Sequence, residues 1–241
     1  METENFFGTL YLIPSPLGDN SPLEVLPLAV KTKVEEIDHF IVENEKSARR
    51  FIKKLVPNKS QDSLYLYPLN KFTTQEEIKT YLNPCFDGFQ MGLMSDLGAP
   101  GIADPGAIIV SKAHKSGVNV KPLVGPSSLI LGMMSSGMNG QNFAFNGYLP
   151  IDSKQRKRSL LKFEKKAIRE NQAQLFIETP YRNDVLLIDI LNTLMSSTLL
   201  CIASDLTLST EFIKTLKIKE WKKQKLRLYK RPSIFIIQSD F

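Results

Sequence analysis

The stretch Ser95-Asp96-Leu97-Gly98-Ala99-Pro100-Gly101-Ile102-Ala103-Asp104-Pro105-Gly106 follows an apolar run, Phe89 to Met94, and precedes a helical pattern, Ala107 to Lys115. Three glycines, two prolines and two aspartates between a strand and a helix make a loop shaped for a ligand. Glycines let backbone N–H groups approach a bound molecule, prolines fix the turn, and aspartates accept hydrogen bonds from hydroxyl or amino groups. The same residues are common in plain strand-to-helix turns. Taken alone, the loop leaves both readings open.

The same punctuation occurs twice more. Gly8 to Ile13 reads as a buried strand that runs into Pro14-Ser15-Pro16-Leu17-Gly18-Asp19, and Val118 to Val124 reads as a strand that runs into Gly125-Pro126-Ser127-Ser128 and a helix ending at Gly137. Between these, Ser21-Pro22 starts a short helix that Pro27 must restart. Phe40 to Val42 is a short strand, and Ser47 is expected to cap a helix through Lys54. Leu64 to Tyr67 is the next strand, and Thr73 with Glu76 predicts a capping box for a helix reaching Leu82. Strands alternating with helices predict an α/β architecture with largely parallel pairing in this part of the chain. Ligands in such sheets bind beyond the carboxyl ends of the strands, which is where all three loops fall.

With 241 residues, 42% of them hydrophobic, the chain is long enough for one large domain or two small ones. No apolar run approaches the roughly 20 residues of a membrane span, and Met1-Glu2-Thr3-Glu4 is acidic where a secretory signal is basic. A cytoplasmic protein without a membrane partner is expected. Cys85, Cys201, His39 and His114 show no metal-ligand spacing and read as structural residues. Gly132 to Gly137 has P-loop spacing, but Met138-Asn139 follows where Lys and Ser or Thr are required, which disfavours a nucleotide triphosphatase. The absence of Gly-x-Gly-x-x-Gly after the first strand disfavours a Rossmann dehydrogenase.

Asn142 to Pro150 reads as a strand leaving the first unit, which places the domain boundary between 147 and 148: an N-terminal α/β domain over 1–147 and a basic α/β domain over 148–241. Residues 1–150 hold 13 Lys and Arg against 15 Asp and Glu, whereas residues 151–241 hold 18 against 10. The basic excess lies wholly in the last third, the electrostatic footprint of a protein that meets phosphates, although soluble proteins also carry such surfaces for no specific purpose. Lys154 to Glu170 predicts a charged helix, Gln174 to Ile177 a strand ending in Glu178-Thr179-Pro180-Tyr181-Arg182, and Leu199 to Ala203 another strand. Glu211 to Arg227 reads as a short helix with many lysines and Trp221, before a last strand, Ser233 to Ile237.

Leu10 to Asp19, the block Ser95 to Pro150 with Asp104-Pro105-Gly106 and Pro122-Leu123-Val124-Gly125-Pro126, and Glu178 to Arg182 together resemble the tetrapyrrole methylase superfamily of S-adenosylmethionine-dependent methyltransferases. Within it, the chain is most similar to the branch that methylates a cytidine ribose 2′-hydroxyl in 16S ribosomal RNA. The resemblance implies a two-domain α/β fold, a homodimer, and S-adenosylmethionine folded into the cleft between domains. It implies that Pro16, Leu17 and Gly18 line the donor site, that Asp96, Gly98 and Ala99 meet its amino acid or ribose portion, and that Ser127 and Ser128 hold its other side, with Tyr148 and Pro180 near the cleft.

Two departures stand out. The branch's Glu-Asp-Thr-Arg after the second strand is here Glu43-Asn44-Glu45-Lys46, and its Lys-Gly-Glu before the last strand is Arg231-Pro232-Ser233. A ribose hydroxyl acceptor benefits from a base; Glu43 and Glu178, each at the end of a predicted strand, are the candidates, with capping or an ion pair as the alternative role. Lys46 and Arg182 are candidate substrate-binding residues, Arg182 through a phosphate or through pairing with an acid. Three functions are expected in this order: methylation of RNA or the small ribosomal subunit, methylation of a tetrapyrrole or other small molecule, and donor binding without transfer.

Overall fold

In the first unit each apolar run becomes a parallel strand. The computed structural model describes residues 7–239, and the acidic Met1 to Glu4 segment lies outside them. The chain divides into two units between Ser127 and Ser128.

The first unit contains strands β1 (Thr9–Ile13), β2 (His39–Val42), β3 (Tyr65–Pro68), β4 (Met91–Met94) and β5 (Asn119–Pro122). They form one sheet in the order β3-β2-β4-β1-β5, with every pair parallel. Side-chain alternation sends Ile13, Phe40, Val42 and Met94 to one face, under helices α1 (Leu28–Glu36) and α2 (Glu45–Leu55). Leu10, Ile41, Met91 and Leu93 go to the other, under α3 (Gln75–Thr80), α4 (Asn83–Phe86) and α5 (Ala107–Lys115). Neighbours β1 and β4 therefore send the chain to opposite faces, β1 toward α1 and β4 toward α5. That divergence is a topological switch point, where an open parallel sheet leaves a crevice.

Local chemistry shifts two of the expected helix starts. Asn44, not Ser47, caps α2: its Oδ1 accepts the N–H groups of Lys46 at 2.9 Å and Ser47 at 3.1 Å. Thr74 and Glu77, not Thr73 and Glu76, form the capping box of α3. The Thr73 hydroxyl is already engaged, donating to the Pro68 carbonyl and accepting from the Asn70 N–H. The helix also stops at Thr80 rather than Leu82, and Pro84 helps start α4.

The second unit holds α6 (Ser128–Ser136), β6 (Phe143–Tyr148), α7 (Ser153–Glu170), β7 (Ala173–Ile177), α8 (Asn183–Thr193), β8 (Leu199–Ser204), β9 (Phe212–Lys217), α9 (Ile218–Trp221) and β10 (Ser233–Gln238). The sheet order is β6-β7-β10-β8-β9; β6 and β7 are parallel and the remaining pairs antiparallel. Leu160, Phe176, Leu186, Trp221 and Phe235 pack together under α7, α8 and α9. On the opposite face α6 lies against β10, with Gly132 beside Ile234.

Because β6 pairs with β7 and α6 packs on the second sheet, the division between units comes earlier than the 147/148 boundary expected from composition. Glu211 to Arg227 contains the expected short helix, with Trp221, and before it a strand that was not expected. Phe212 to Lys217 is an edge strand paired along its length with β8, and only one turn of helix follows. Partly buried Phe212 and Leu216 join the core through that pairing, a tertiary gain that outweighs the weak local signal. Among the described residues no helix is long and apolar enough to cross a membrane.

Candidate functional site

The three glycine-rich loops meet at the switch point of the first sheet. The Ser15 and Gly98 backbones exchange both hydrogen bonds, at 3.0 and 3.1 Å, and so tie the loop after β1 to the loop after β4. The Ser15 hydroxyl donates to the Ser95 carbonyl at 2.6 Å. Gly98 has φ +75°, and a Cβ there would lie 3.0 Å from Leu17 Cδ2 and 3.3 Å from the Pro126 carbonyl oxygen. Gly125 is packed so closely on Pro14 that a Cβ would fall 2.3 Å from the ring. The sequence therefore needs glycine at both positions for the loops to join.

The loops that leave this edge of the sheet carry Pro16, Leu17, Gly18, Asp96, Gly98, Ala99 and Ser127. Pro16, Leu17 and Gly98 are buried, Gly18, Ala99 and Ser127 half-buried, and Asp96 exposed. Two residues after Gly18, the Asn20 side chain has both its amide oxygen and its nitrogen buried without a partner.

Glu43, at the end of β2, belongs to the same edge. Its Oε1 accepts the Asp96 N–H at 2.9 Å, and Asp96 Oδ1 accepts the Ser47 hydroxyl at 2.6 Å. A hollow of about 20 Å³ lies among Ser15, Glu43, Ser47, Ser95 and Asp96. Burial pushes the Glu43 carboxyl above its ordinary value; the Asp96 N–H pulls against this, and the charges of Asp104 and Asp96 add to it. Asp104 is raised by burial as well, while its Oδ1 accepts from Gly101 and Gly106 and so clips the loop to itself. Lys46 sits exposed in the first turn of α2. Ser15 and Ser47 are parts of this site that their residue type did not single out, because a serine between prolines reads first as a turn residue and one at a helix start as a cap.

A second set lies at the edge of the second sheet where β6 and β7 end. Tyr148, exposed, pairs with Ile177 across a register shift. Glu178 is buried, and its Oε1 accepts the Thr179 N–H at 2.6 Å and the Arg182 guanidinium at 2.5 Å. The Pro180 carbonyl accepts the Lys230 N–H at 2.9 Å. Glu178 thus holds its own turn through Thr179 and Arg182, while Arg182 Nε is buried without a partner. Ser128 opens α6 in this second unit. The departure at Arg231-Pro232-Ser233 is likewise structural: Arg231 Nε donates to Asp205 at 2.7 Å, and the Ser233 and Ser204 hydroxyls bond at 2.7 Å.

No family model matches the chain. Over 245 residues it is 31% identical to Ribosomal RNA small subunit methyltransferase I of Buchnera aphidicola subsp. Schizaphis graminum (strain Sg), covering 100% of this chain and 81% of that relative. The chain belongs to the ribosomal RNA small subunit methyltransferase I family. The protein of that name from Vibrio cholerae serotype O1 (strain ATCC 39315 / El Tor Inaba N16961) is 29% identical over 211 residues, 88% of this chain and 69% of its own length. Among solved structures, the methyltransferase CobJ shares the fold with a TM-score of 0.63 at 14% identity, over 96% of this chain and 94% of its own. The conserved hypothetical protein APE0931 from Aeropyrum pernix K1 does so with a TM-score of 0.64 at 12% identity, over 96% and 85%.

The tetrapyrrole-methylase-like α/β fold that the resemblance implied is thus the fold found, in a methyltransferase. For a family member, the change from Glu-Asp-Thr-Arg to Glu43-Asn44-Glu45-Lys46 is mild in structural terms. Asn44 caps α2, a position where Asn and Asp serve about equally, and Glu43 keeps its bond to the Asp96 backbone.

Proposed function

We propose that the protein transfers a methyl group from S-adenosylmethionine to a ribose 2′-hydroxyl of small-subunit ribosomal RNA, a cytidine of 16S RNA by the resemblance, and acts in the cytoplasm as a homodimer. One observation carries the reading: the glycine-rich loops of a family member are fastened backbone to backbone at the switch point of a parallel sheet.

The residues present suit the donor. Gly98 and Gly125 leave no Cβ where the loops close together, and the unpartnered amide of Asn20, on the loop of Gly18, is a buried donor and acceptor. Pro16, Leu17, Gly18, Gly98, Ala99 and Ser127 would line it. Bound S-adenosylmethionine supplies a methyl group activated on a sulfonium. In-line displacement demands chiefly that the two reactants be held in position. Asp96, fixed by Glu43 on its N–H and by Ser47 on its carboxylate, is such a positioning group. The second oxygen of Glu43 makes no hydrogen bond among the described residues, and the raised basicity of this carboxylate suits it to take the hydroxyl proton. Glu178 serves instead to hold Arg182 and the turn that bears Pro180.

The test is transfer of labelled methyl groups to small ribosomal subunits from cells lacking this protein, with free 16S RNA and a tetrapyrrole precursor in parallel. Label mapped to one ribose is the expected result. Label only in the tetrapyrrole, or in nothing despite donor binding by calorimetry, overturns the reading.

A further inference from the structure

The segment Lys222-Lys223-Gln224-Lys225-Leu226-Arg227-Leu228-Tyr229-Lys230-Arg231 carries six cations and no acid in ten residues. It is irregular in backbone but firmly held. The Leu228 N–H donates to Asp184 Oδ1 at 2.6 Å, the Lys230 N–H to the Pro180 carbonyl at 2.9 Å, and Asn183 Nδ2 to the Arg231 carbonyl at 2.6 Å. Leu228 and Trp221 are buried beneath it. Arg231 is engaged by Asp205. Lys222, Lys223, Lys225, Arg227 and Lys230 are exposed and form no ion pair with a described carboxylate.

Two features of a different kind adjoin these cations. Tyr229 and Tyr181 stand 54% and 65% exposed with ring centroids 5.8 Å apart, edge to face, and Lys230 Nζ lies 5.5 Å from the centre of the Tyr229 ring. Against α8 the segment also walls an open groove of about 620 Å³, with Leu187, Ile188, Leu191 and Trp221 as apolar lining and Lys225 and Arg227 among its residues. The one acid lining the groove, Asp184, accepts the Leu228 N–H.

We propose that this face of the second unit binds single-stranded RNA, with Tyr181 and Tyr229 stacking on an unpaired base and Lys225, Arg227 and Lys230 contacting the flanking phosphates. Exposed aromatic faces interleaved with unpaired cations match the two chemistries of single-stranded nucleic acid, a π-face on every base and a charge on every phosphate. A second copy of the chain is a poorer occupant, since a two-fold axis would set this acid-free segment against itself. A rigid segment also loses little freedom on binding. The proposal rests on RNA being the acceptor, and it names the surface that would hold RNA outside the reacting nucleotide.

The experiment measures binding of unmodified 16S RNA to the full chain by filter retention across a salt series, together with donor binding by calorimetry and methyl transfer to small subunits. Replacing Lys225, Arg227 and Lys230 together by Ala should weaken RNA binding and flatten the dependence of log K on log salt by about 2, at roughly 0.7 per phosphate contact. Tyr181→Ala with Tyr229→Ala should weaken binding about ten-fold with an unchanged salt slope, and the Phe pair should restore it. Donor affinity and melting temperature should stay at the wild-type values in all of these. Wild-type RNA affinity and slope in the triple variant, with wild-type KM for subunits, overturn the surface while leaving the RNA reading intact. A variant that instead changes the oligomeric state shows the face to be an interface between copies. Absence of RNA binding and transfer in the wild type removes both proposals.

Discussion

The edge of the first sheet and the interior of the second unit are held together by different means. At the first edge the contacts are backbone to backbone, Ser15 with Gly98, or backbone to ring, Gly125 with Pro14, and the few side chains involved are small. In the second unit the polar contacts run through buried side chains. Arg156 is paired with Asp189 at 2.5 Å, and Glu164 accepts the Met195 N–H at 2.8 Å and the Thr198 hydroxyl at 2.5 Å. A site made from backbone is specified by where side chains are missing, so it depends on its glycines and prolines more than on its charges. A unit held by charged side chains must keep its pairs intact, yet it leaves an outer surface free to collect Lys and Arg.

The comparison breaks most visibly at Asp189. Asp189→Ala leaves the Arg156 guanidinium, 6% exposed, with only the Pro150 and Ile151 carbonyls. A loss of about 3–5 kcal/mol is expected, as for other broken buried pairs. Replacing Arg156 by Met in the same chain should return most of it, because the unpaired charge and not the missing bridge is what costs. Urea unfolding of the two variants checks this; equal stability of the single and double variants would show that the pair is not desolvated.

At the first edge the corresponding test is chemical. Glu43→Gln keeps an oxygen for the Asp96 N–H but removes the base, and a fall in kcat of about 10²-fold is expected. The wild-type rate should rise with pH through the Glu43 pKa, which burial lifts above the ordinary range of a glutamate, and the variant should lose that rise. Stability runs the other way. A carboxyl whose folded pKa is raised contributes stability below its unfolded value and loses it as pH climbs through the folded one. The variant should therefore gain relative to wild type toward neutral pH and match it in acid. A pH–rate profile and melting curves over the same range separate the two effects.

This difference in construction also decides what was legible in the sequence. The three loops were readable because Gly98, Gly125 and their prolines are local backbone requirements, and the all-parallel first sheet followed from the strands that precede them. The second unit was less readable since its order depends on pairing across long separations. β6 read as an exit from the first unit but pairs with β7, and the lysine-rich segment that showed its short helix gave no sign of β9, which pairs with β8. Among site residues, Glu178 had two open roles, and only its burial against Arg182 favours the structural one. Ser47 was visible only as a cap, because nothing local says that a serine on α2 reaches Asp96 at the end of β4.

Two smaller changes sharpen the contrast at the first edge. Gly125→Ala drives a methyl into the Pro14 ring, whose stiffness leaves the backbone to move, and about 1–3 kcal/mol of stability should go with roughly ten-fold of donor affinity. Calorimetry with S-adenosylmethionine reads the second quantity directly. Ser47→Ala removes only the hydroxyl that fixes the Asp96 carboxylate, at a cost of about 1 kcal/mol or less in stability. Its effect should be confined to the donor: weaker binding, with an unchanged salt slope for RNA. If the site is made by backbone, Gly125→Ala must exceed Ser47→Ala in both stability and donor affinity. The reverse order would mean that Asp96 and its side-chain support, and not the joined loops, hold the donor.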